Sequence, residues 1–190
     1  MKYDPDKHHR RSIRLQGYDY TQAGAYFITI CVQYRECVLG DIVNGEIHLS
    51  EWGQVVQTEW DQLPRRFPNI ETDAFAIMPN HIHGIVMIPG RWGTAGRAPT
   101  HRAPTVTVER FGQPLPGSIP TIVRSFKSAI TKRINALRGT PGVPFWQRNY
   151  WEHVVRDEND LNRIRQYIEN NPLRWHEDQL NPIVPPRPTK

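Results

Sequence analysis

A chain of 190 residues with 38% hydrophobic and 23% charged side chains fits one soluble domain with a proper core, and no apolar run approaches the ~20 residues that a transmembrane helix needs. Its 24 Lys and Arg outnumber 19 Asp and Glu for a net charge of +5, which favours an anionic partner such as nucleic acid without requiring one. Cys31 and Cys37 show neither metal-ligand pairing nor a disulfide framework, and Met1–Leu15 lacks the apolar segment of a secretory signal, so a reducing, cytoplasmic setting is expected.

In chain order, residues 1–20 are polar and basic, with Arg10, Arg11 and Arg14 close together. That composition suits either a frayed terminus or an arm lying on phosphates. Ala25–Val32, rich in aromatic and β-branched residues, predicts a strand. Two short strands, Val38–Ile42 and Glu46–Leu49, flank the pair Asn44-Gly45, a strong hairpin signal. Ser50 then caps a helix in which Trp52, Val56, Trp60 and Leu63 recur at helical spacing, and Pro64 is expected to close it. Strands follow at Ile70–Met78 and at His81–Ile88, separated by Pro79-Asn80. Residues 89–117 carry Gly and Pro too often for regular structure and read as a flexible surface insertion.

Ser118–Gly139 reads as the strongest helix, with Ile119, Ile122, Val123, Phe126, Ile130, Ile134 and Leu137 in one stripe. Arg124, Lys127, Lys132, Arg133 and Arg138 lie off that stripe, and no acid interrupts them. Ion pairing along the helix cannot neutralise such a face, so it reads as one that tracks phosphates; a plain solvated face is the alternative. Phe145–Val155 reads as a loop running into a strand. Asp157 and Asp160 open the last helix, Glu158 to about Asn171, whose buried stripe is Leu161, Ile164 and Ile168. Pro172 stops it, and residues 173–190 read as an extended Pro-rich tail. Leaving out the hairpin, the order is β-α-β-β-α-β with a terminal helix. This is an α+β, ferredoxin-like antiparallel sheet with two helices on one face and a further C-terminal helix, over a domain at 21–172.

His81 and His83 alternate with Ile82, so in a strand both imidazoles share one face and can hold one divalent ion; a polar strand face is the competing account. Tyr167 and Asn171 are one helical turn apart on the last helix, and an amide oxygen is an acceptable hard ligand for Mg²⁺ or Mn²⁺. If that helix packs so that Asn171 meets the histidines, a phenol is delivered beside the metal, a suitable nucleophile towards a phosphodiester. Taken alone, Tyr167 is also an ordinary half-buried helix residue.

Met78-Pro79-Asn80-His81-Ile82-His83-Gly84-Ile85-Val86, Trp146-Gln147-Arg148-Asn149-Tyr150-Trp151-Glu152-His153-Val154-Val155-Arg156 and Tyr167-Ile168-Glu169-Asn170-Asn171-Pro172 together resemble the single-tyrosine His-hydrophobic-His transposases. Within these the sequence is most similar to the REP-associated tyrosine transposases, the branch linked to repetitive extragenic palindromes. Arg10-Arg11-Ser12-Ile13-Arg14-Leu15 and Gly24-Ala25-Tyr26-Phe27-Ile28-Thr29 are similar to that branch as well. The resemblance covers roughly 10–172 without the 89–117 insertion. It implies that His81, His83 and Asn171 are ligands of Mg²⁺ or Mn²⁺. It implies that Tyr167 cuts single-stranded DNA next to a hairpin, leaving a 5′-phosphotyrosine and a free 3′-hydroxyl, so that rejoining needs no ATP. A nucleoid-associated cytoplasmic protein, monomeric or dimeric, is the corresponding expectation.

Arg10, Arg11, Arg14, Arg124, Lys127 and Arg148 are the candidate DNA contacts. Tyr150 reads as a packing or base-stacking residue and His153 as a hydrogen-bonded strand residue. Two other functions compete. One is a catalytically silent DNA- or RNA-binding protein on the same fold. The other is a zinc hydrolase, ranked last because neither a nearby His-Glu-x-x-His motif nor an obvious carboxylate ligand is present.

Overall fold

A computed structural model describes residues 18–90 and 115–185. Arg10, Arg11, Arg14 and nearly all of the 89–117 insertion lie outside the described residues. The elements run β1 (Gly24–Cys31), β2 (Gly40–Val43), β3 (Glu46–Leu49), α1 (Glu51–Asp61), α2 (Leu63–Arg66), β4 (Glu71–Met78), β5 (His81–Ile88), α3 (Ile119–Leu137), β6 (Trp151–Val154) and α4 (Glu158–Asn170).

Four strands form one antiparallel sheet in the order β4-β5-β1-β6, the ferredoxin-like arrangement, with β2-β3 as a separate hairpin. Its two central strands, β1 and β5, are buried along almost their whole length. Both their faces are covered, which is why Tyr26-Phe27-Ile28-Thr29-Ile30 shows little polar alternation. On one face Tyr26, Ile28, Ile30, Ile82 and Val86 pack with Val56 and Trp60 of α1 and with Ile122, Phe126 and Ile130 of α3. On the other, Ala25, Phe27 and Ile85 meet Leu161, Ile164 and Ile168 of α4. Each of those three α4 side chains contributes about 1.5–3 kcal/mol by leaving water. Arg165 then fixes the register of α4 on β4 by a two-pronged bond, Nε to Asp73 Oδ1 at 2.9 Å and a second nitrogen to Oδ2 at 2.6 Å.

Local chemistry sets the ends of the elements. Asn44 and Gly45 both take positive φ (52° and 81°), as the tight turn between β2 and β3 demands. Ser50 Oγ accepts from the Gly53 N–H at 3.1 Å and caps α1. Gly84 follows the histidines because Trp60 lies against β5: a Cβ there would stand 2.4 Å from the Trp60 ring, which is itself stacked on Phe75 at 4.2 Å.

Three expectations change. Pro64 does not close the helical region; it sits in the first turn of α2, where a missing N–H leaves no bond unmade. The basic stretch 1–20 does not run free to its end, since Tyr20 is buried in the main core beside Tyr26. Residues 173–185 are not an extended tail. Pro172–Glu177 forms a 3-10 helix, and Asn181 holds the next turn by donating to Trp175 O at 2.9 Å and accepting from Ile183 N at 3.1 Å. No helix among the described residues is long and apolar enough to cross a membrane.

Candidate functional site

The alternation of β5 turns His81, His83 and Ile85 towards the α4 face and Ile82 into the α1/α3 core. Both imidazoles are almost fully buried, at 0% and 2% exposure. Their Nε2 atoms stand 3.0 Å apart, close to the separation of adjacent donors that each lie ~2.1 Å from one cation.

The neighbouring hydrogen bonds decide which nitrogens carry protons. Asn80, fully buried in the β4-β5 turn, spends its amide N–H groups on Arg35 O (3.1 Å) and Leu180 O (2.7 Å). Its Oδ1 must therefore face His81 Nδ1, 2.8 Å away, and that nitrogen must be the donor. His81 Nε2 is left with a bare lone pair. His83 Nδ1 is 2.8 Å from the Thr29 hydroxyl, a rotor that can give or accept, so His83 Nε2 can be bare as well. A second partner that fixes ring and tautomer is what ligating histidines require.

Burial holds both rings in the neutral form. Desolvation pushes His83 down to about 3, and His81 falls well below the ordinary range through desolvation and the nearby charges of His83 and Arg35. This has a consequence for stability. The unfolded chain binds protons at these rings near the usual value of about 6.5, whereas the folded chain does not. The contribution is complete above that pH and is lost as pH falls towards about 3, by up to about 1.4 kcal/mol per pH unit for each ring. Urea midpoints are expected to drop between pH 7.5 and pH 5, and a His81→Gln/His83→Gln double variant should show a shallower drop.

α4 supplies the rest. Tyr167 is half-exposed, and its hydroxyl is 3.3 Å from His83 Nε2. Burial and the charge of Asp178 raise the phenol's pKa, while the Asn171 side chain works against them. Asn171 caps the end of α4 and is 4% exposed, and its carbonyl oxygen is buried with no hydrogen-bond partner. A buried acceptor without a partner, on the side chain that meets Tyr167, is the kind of oxygen that suits a cation.

Asp178 was not foreseen. Its Oδ2 is 3.7 Å from His81 Nε2, and one ligand atom from each of His81, His83 and Asp178 falls within 4.8 Å of the others, a possible metal site. Asp178 arrives because the 3-10 helix after Asn171 turns the chain back, with Leu180 N donating to its Oδ1 at 2.7 Å and Leu180 O held by Asn80. The proline content of the segment masked this; the spacing of Asp178 and Asn181, two turn-forming residues, was the available signal. The contacts of Thr29 and Asn80 with the histidines are likewise not written in their spacing, although both residues lie within stretches that carry the resemblance. Nor does the sequence signal the turn at Tyr34 and Arg35, both at positive φ (57° and 58°), a strained backbone that Asn80 pins through Arg35 O.

The other expected site residues are more scattered. Arg124 and Arg148 are exposed. Lys127 is committed to the loop before β6, donating to Gln147 O at 2.6 Å and Arg148 O at 3.1 Å, and burial lowers its pKa to about 8. Arg133 of the same helix pairs with Glu59 of α1 at 3.1 Å, and Arg138 donates to Asn135 Oδ1 at 2.9 Å. Part of the basic face of α3 is thus neutralised by a neighbouring helix, which spacing along α3 cannot reveal. α3 also covers the sheet face opposite the histidines. Tyr150 packs against that opposite core, and His153 Nε2 is bonded to Asp160 Oδ2 at 2.8 Å.

No family model matches the chain. It is 41% identical over 179 residues to an uncharacterised Haemophilus influenzae protein, covering 94% of this chain and 97% of that one. A second protein of the same organism, provisionally named as a REP-associated tyrosine transposase, is 26% identical over 156 residues, 82% of this chain and 74% of that protein. Among solved structures, a REP-associated tyrosine transposase bound to a REP hairpin superposes with a TM-score of 0.50 and 18% identity, over 93% of this chain and 89% of that one.

Proposed function

We propose that the chain is a REP-associated tyrosine transposase, as its similarity to such proteins supports, and that it cuts and rejoins single-stranded DNA beside a hairpin through a tyrosyl-DNA intermediate made by Tyr167. The observation that carries this reading is the Tyr167 hydroxyl 3.3 Å from His83 Nε2, with Asn171 one turn further along α4. The similar solved structure is described as bound to a REP hairpin, which supports a hairpin as the substrate here.

His81, His83 and Asn171 are the residues that would hold Mg²⁺ or Mn²⁺, with Asp178 as a further donor. A cation bound there withdraws charge from the phosphoryl oxygens and favours the phenolate. The chain's own part is positional. Tyr167 Oη attacks phosphorus; the O–P bond forms, the P–O3′ bond breaks, and the 3′ oxygen leaves as a hydroxyl, taking up a proton in place of the one the phenol gave up. In rejoining, a 3′-hydroxyl attacks the phosphotyrosine and the phenol departs. Phe27, 5.4 Å from the His83 ring and 6.0 Å from the Tyr167 ring, keeps the two rings seated between sheet and helix. Tyr167 meets His83 of its own chain, which supports a site built in cis.

Incubating the protein with a labelled single-stranded hairpin and Mn²⁺ or Mg²⁺ should give a protein–DNA adduct that survives denaturation. EDTA should prevent it, and fully duplex DNA should be a poor substrate. Retention of the hairpin with no adduct under any divalent cation would replace this reading by one of binding alone.

A further inference from the structure

Tyr150 and Trp151 are adjacent, yet they point to opposite faces of the sheet. Tyr150 packs against the α1/α3 core, whereas Trp151, on the edge strand β6, faces the side that carries the histidines. Trp151 belongs to neither core cluster and is 47% exposed. A single exposed aromatic is ordinary. What distinguishes this one is its position.

Strand pairing sets His83, Thr29 and Trp151 in one row across β5, β1 and β6. Trp151 therefore stands two interstrand steps of about 4.8 Å from His83, with Thr29 between them. The Phe27 ring lies behind the row and is edge-on both to Trp151, at 5.4 Å (73° between planes), and to Tyr167 of α4, at 6.0 Å (80°). Phe27 is itself buried, so the indole has a firm backing; the His153 ring lies parallel to it at 6.0 Å, and the indole still keeps an open surface on the face of the sheet that Tyr167 covers. A flat, exposed aromatic surface next to a phosphate-reacting group matches an unpaired nucleobase, which stacks whatever its identity. Within a duplex, a base has both faces covered by its neighbours.

We propose that Trp151 is the floor of a nucleobase site, stacking an unpaired base attached to the phosphate that Tyr167 attacks. The inference rests on the proposed tyrosyl-transfer reading and adds to it the residue that holds the strand in place. Trp151 is a positioning residue; the bond-making groups lie elsewhere.

The test uses full-length Tyr167→Phe protein, so that binding is read without cutting, and hairpins whose single-stranded flank carries 2-aminopurine at each unpaired position in turn. One position should be strongly quenched. Trp151→Leu, which keeps apolar bulk against Phe27 but has no ring face, should abolish that quench and weaken binding about tenfold. Trp151→Phe should keep most of both, and all variants should melt near the parent temperature. A quench that persists in Trp151→Leu, or a loss in Trp151→Phe equal to that in Trp151→Leu, would overturn the base site. Failure of the transfer reading appears separately, as the absence of an adduct with the native protein. An adduct without a Trp151-dependent quench overturns only the stacking inference.

Discussion

Tyr167→Phe protein is expected to form no denaturation-resistant adduct with a single-stranded hairpin, a loss of roughly 10⁴-fold or more, as removal of a covalent nucleophile generally gives. The fold should hardly notice. The hydroxyl meets His83 Nε2 at 3.3 Å and the Asn171 side chain, and the residue is half-exposed, so its loss costs about 1 kcal/mol. The control is Tyr150→Phe. That phenol belongs to the core on the far side of the sheet, packed against the α1/α3 layer and remote from both imidazoles, so adduct yield should stay within about twofold of the parent. The two outcomes separate a nucleophile from a merely nearby tyrosine. An adduct that survives Tyr167→Phe would sink the assignment, and peptide mapping of the adduct would show which residue carries the DNA.

The placement of Tyr167 and its helix was legible in the chain because each rests on a local periodicity. Leu161, Ile164 and Ile168 mark the buried stripe of α4, and Tyr167 and Asn171 flank it one turn apart, so docking the stripe delivers both to the sheet. His81 and His83 were legible through the two-residue repeat of a strand. Asp178, Thr29 and Asn80 were not, because each acts through a contact between segments far apart in sequence: Thr29 with His83, Asn80 with Leu180, Asp178 with His81. Proline-rich composition suggested an extended tail, but turn-forming side chains at 178 and 181 prevailed over it. Part of the basic face of α3 is accounted for in the same way, from outside the helix. Glu59, which neutralises Arg133, is supplied by α1 and has no place in the spacing of α3.

Replacing His83 with Gln is expected to remove both cation binding and cutting, and His81→Gln should do the same. With the native protein, Mn²⁺ should raise the melting temperature, because a ligand that binds only the folded chain stabilises it in proportion to its saturation. Neither glutamine variant should show that rise. Their basal stability separates this from unfolding: each leaves one buried partner unpaired, Thr29 for His83 and the Asn80 carbonyl for His81, at a cost of about 1–3 kcal/mol. Asp178→Asn then decides whether the carboxylate belongs to the ligand set. Its Oδ2 lies 3.7 Å from His81 Nε2, and its pKa is raised by burial, so in the native protein it is a desolvated acid beside bare imidazole lone pairs. If it ligates, removing its charge should weaken Mn²⁺ about tenfold or more by calorimetry. An unchanged affinity in Asp178→Asn, alongside a clear loss in Asn171→Ala, would leave the two histidines and the amide as the protein's whole contribution. A Mn²⁺-dependent rise that survived in both histidine variants would place the cation elsewhere and remove the basis for the proposed chemistry.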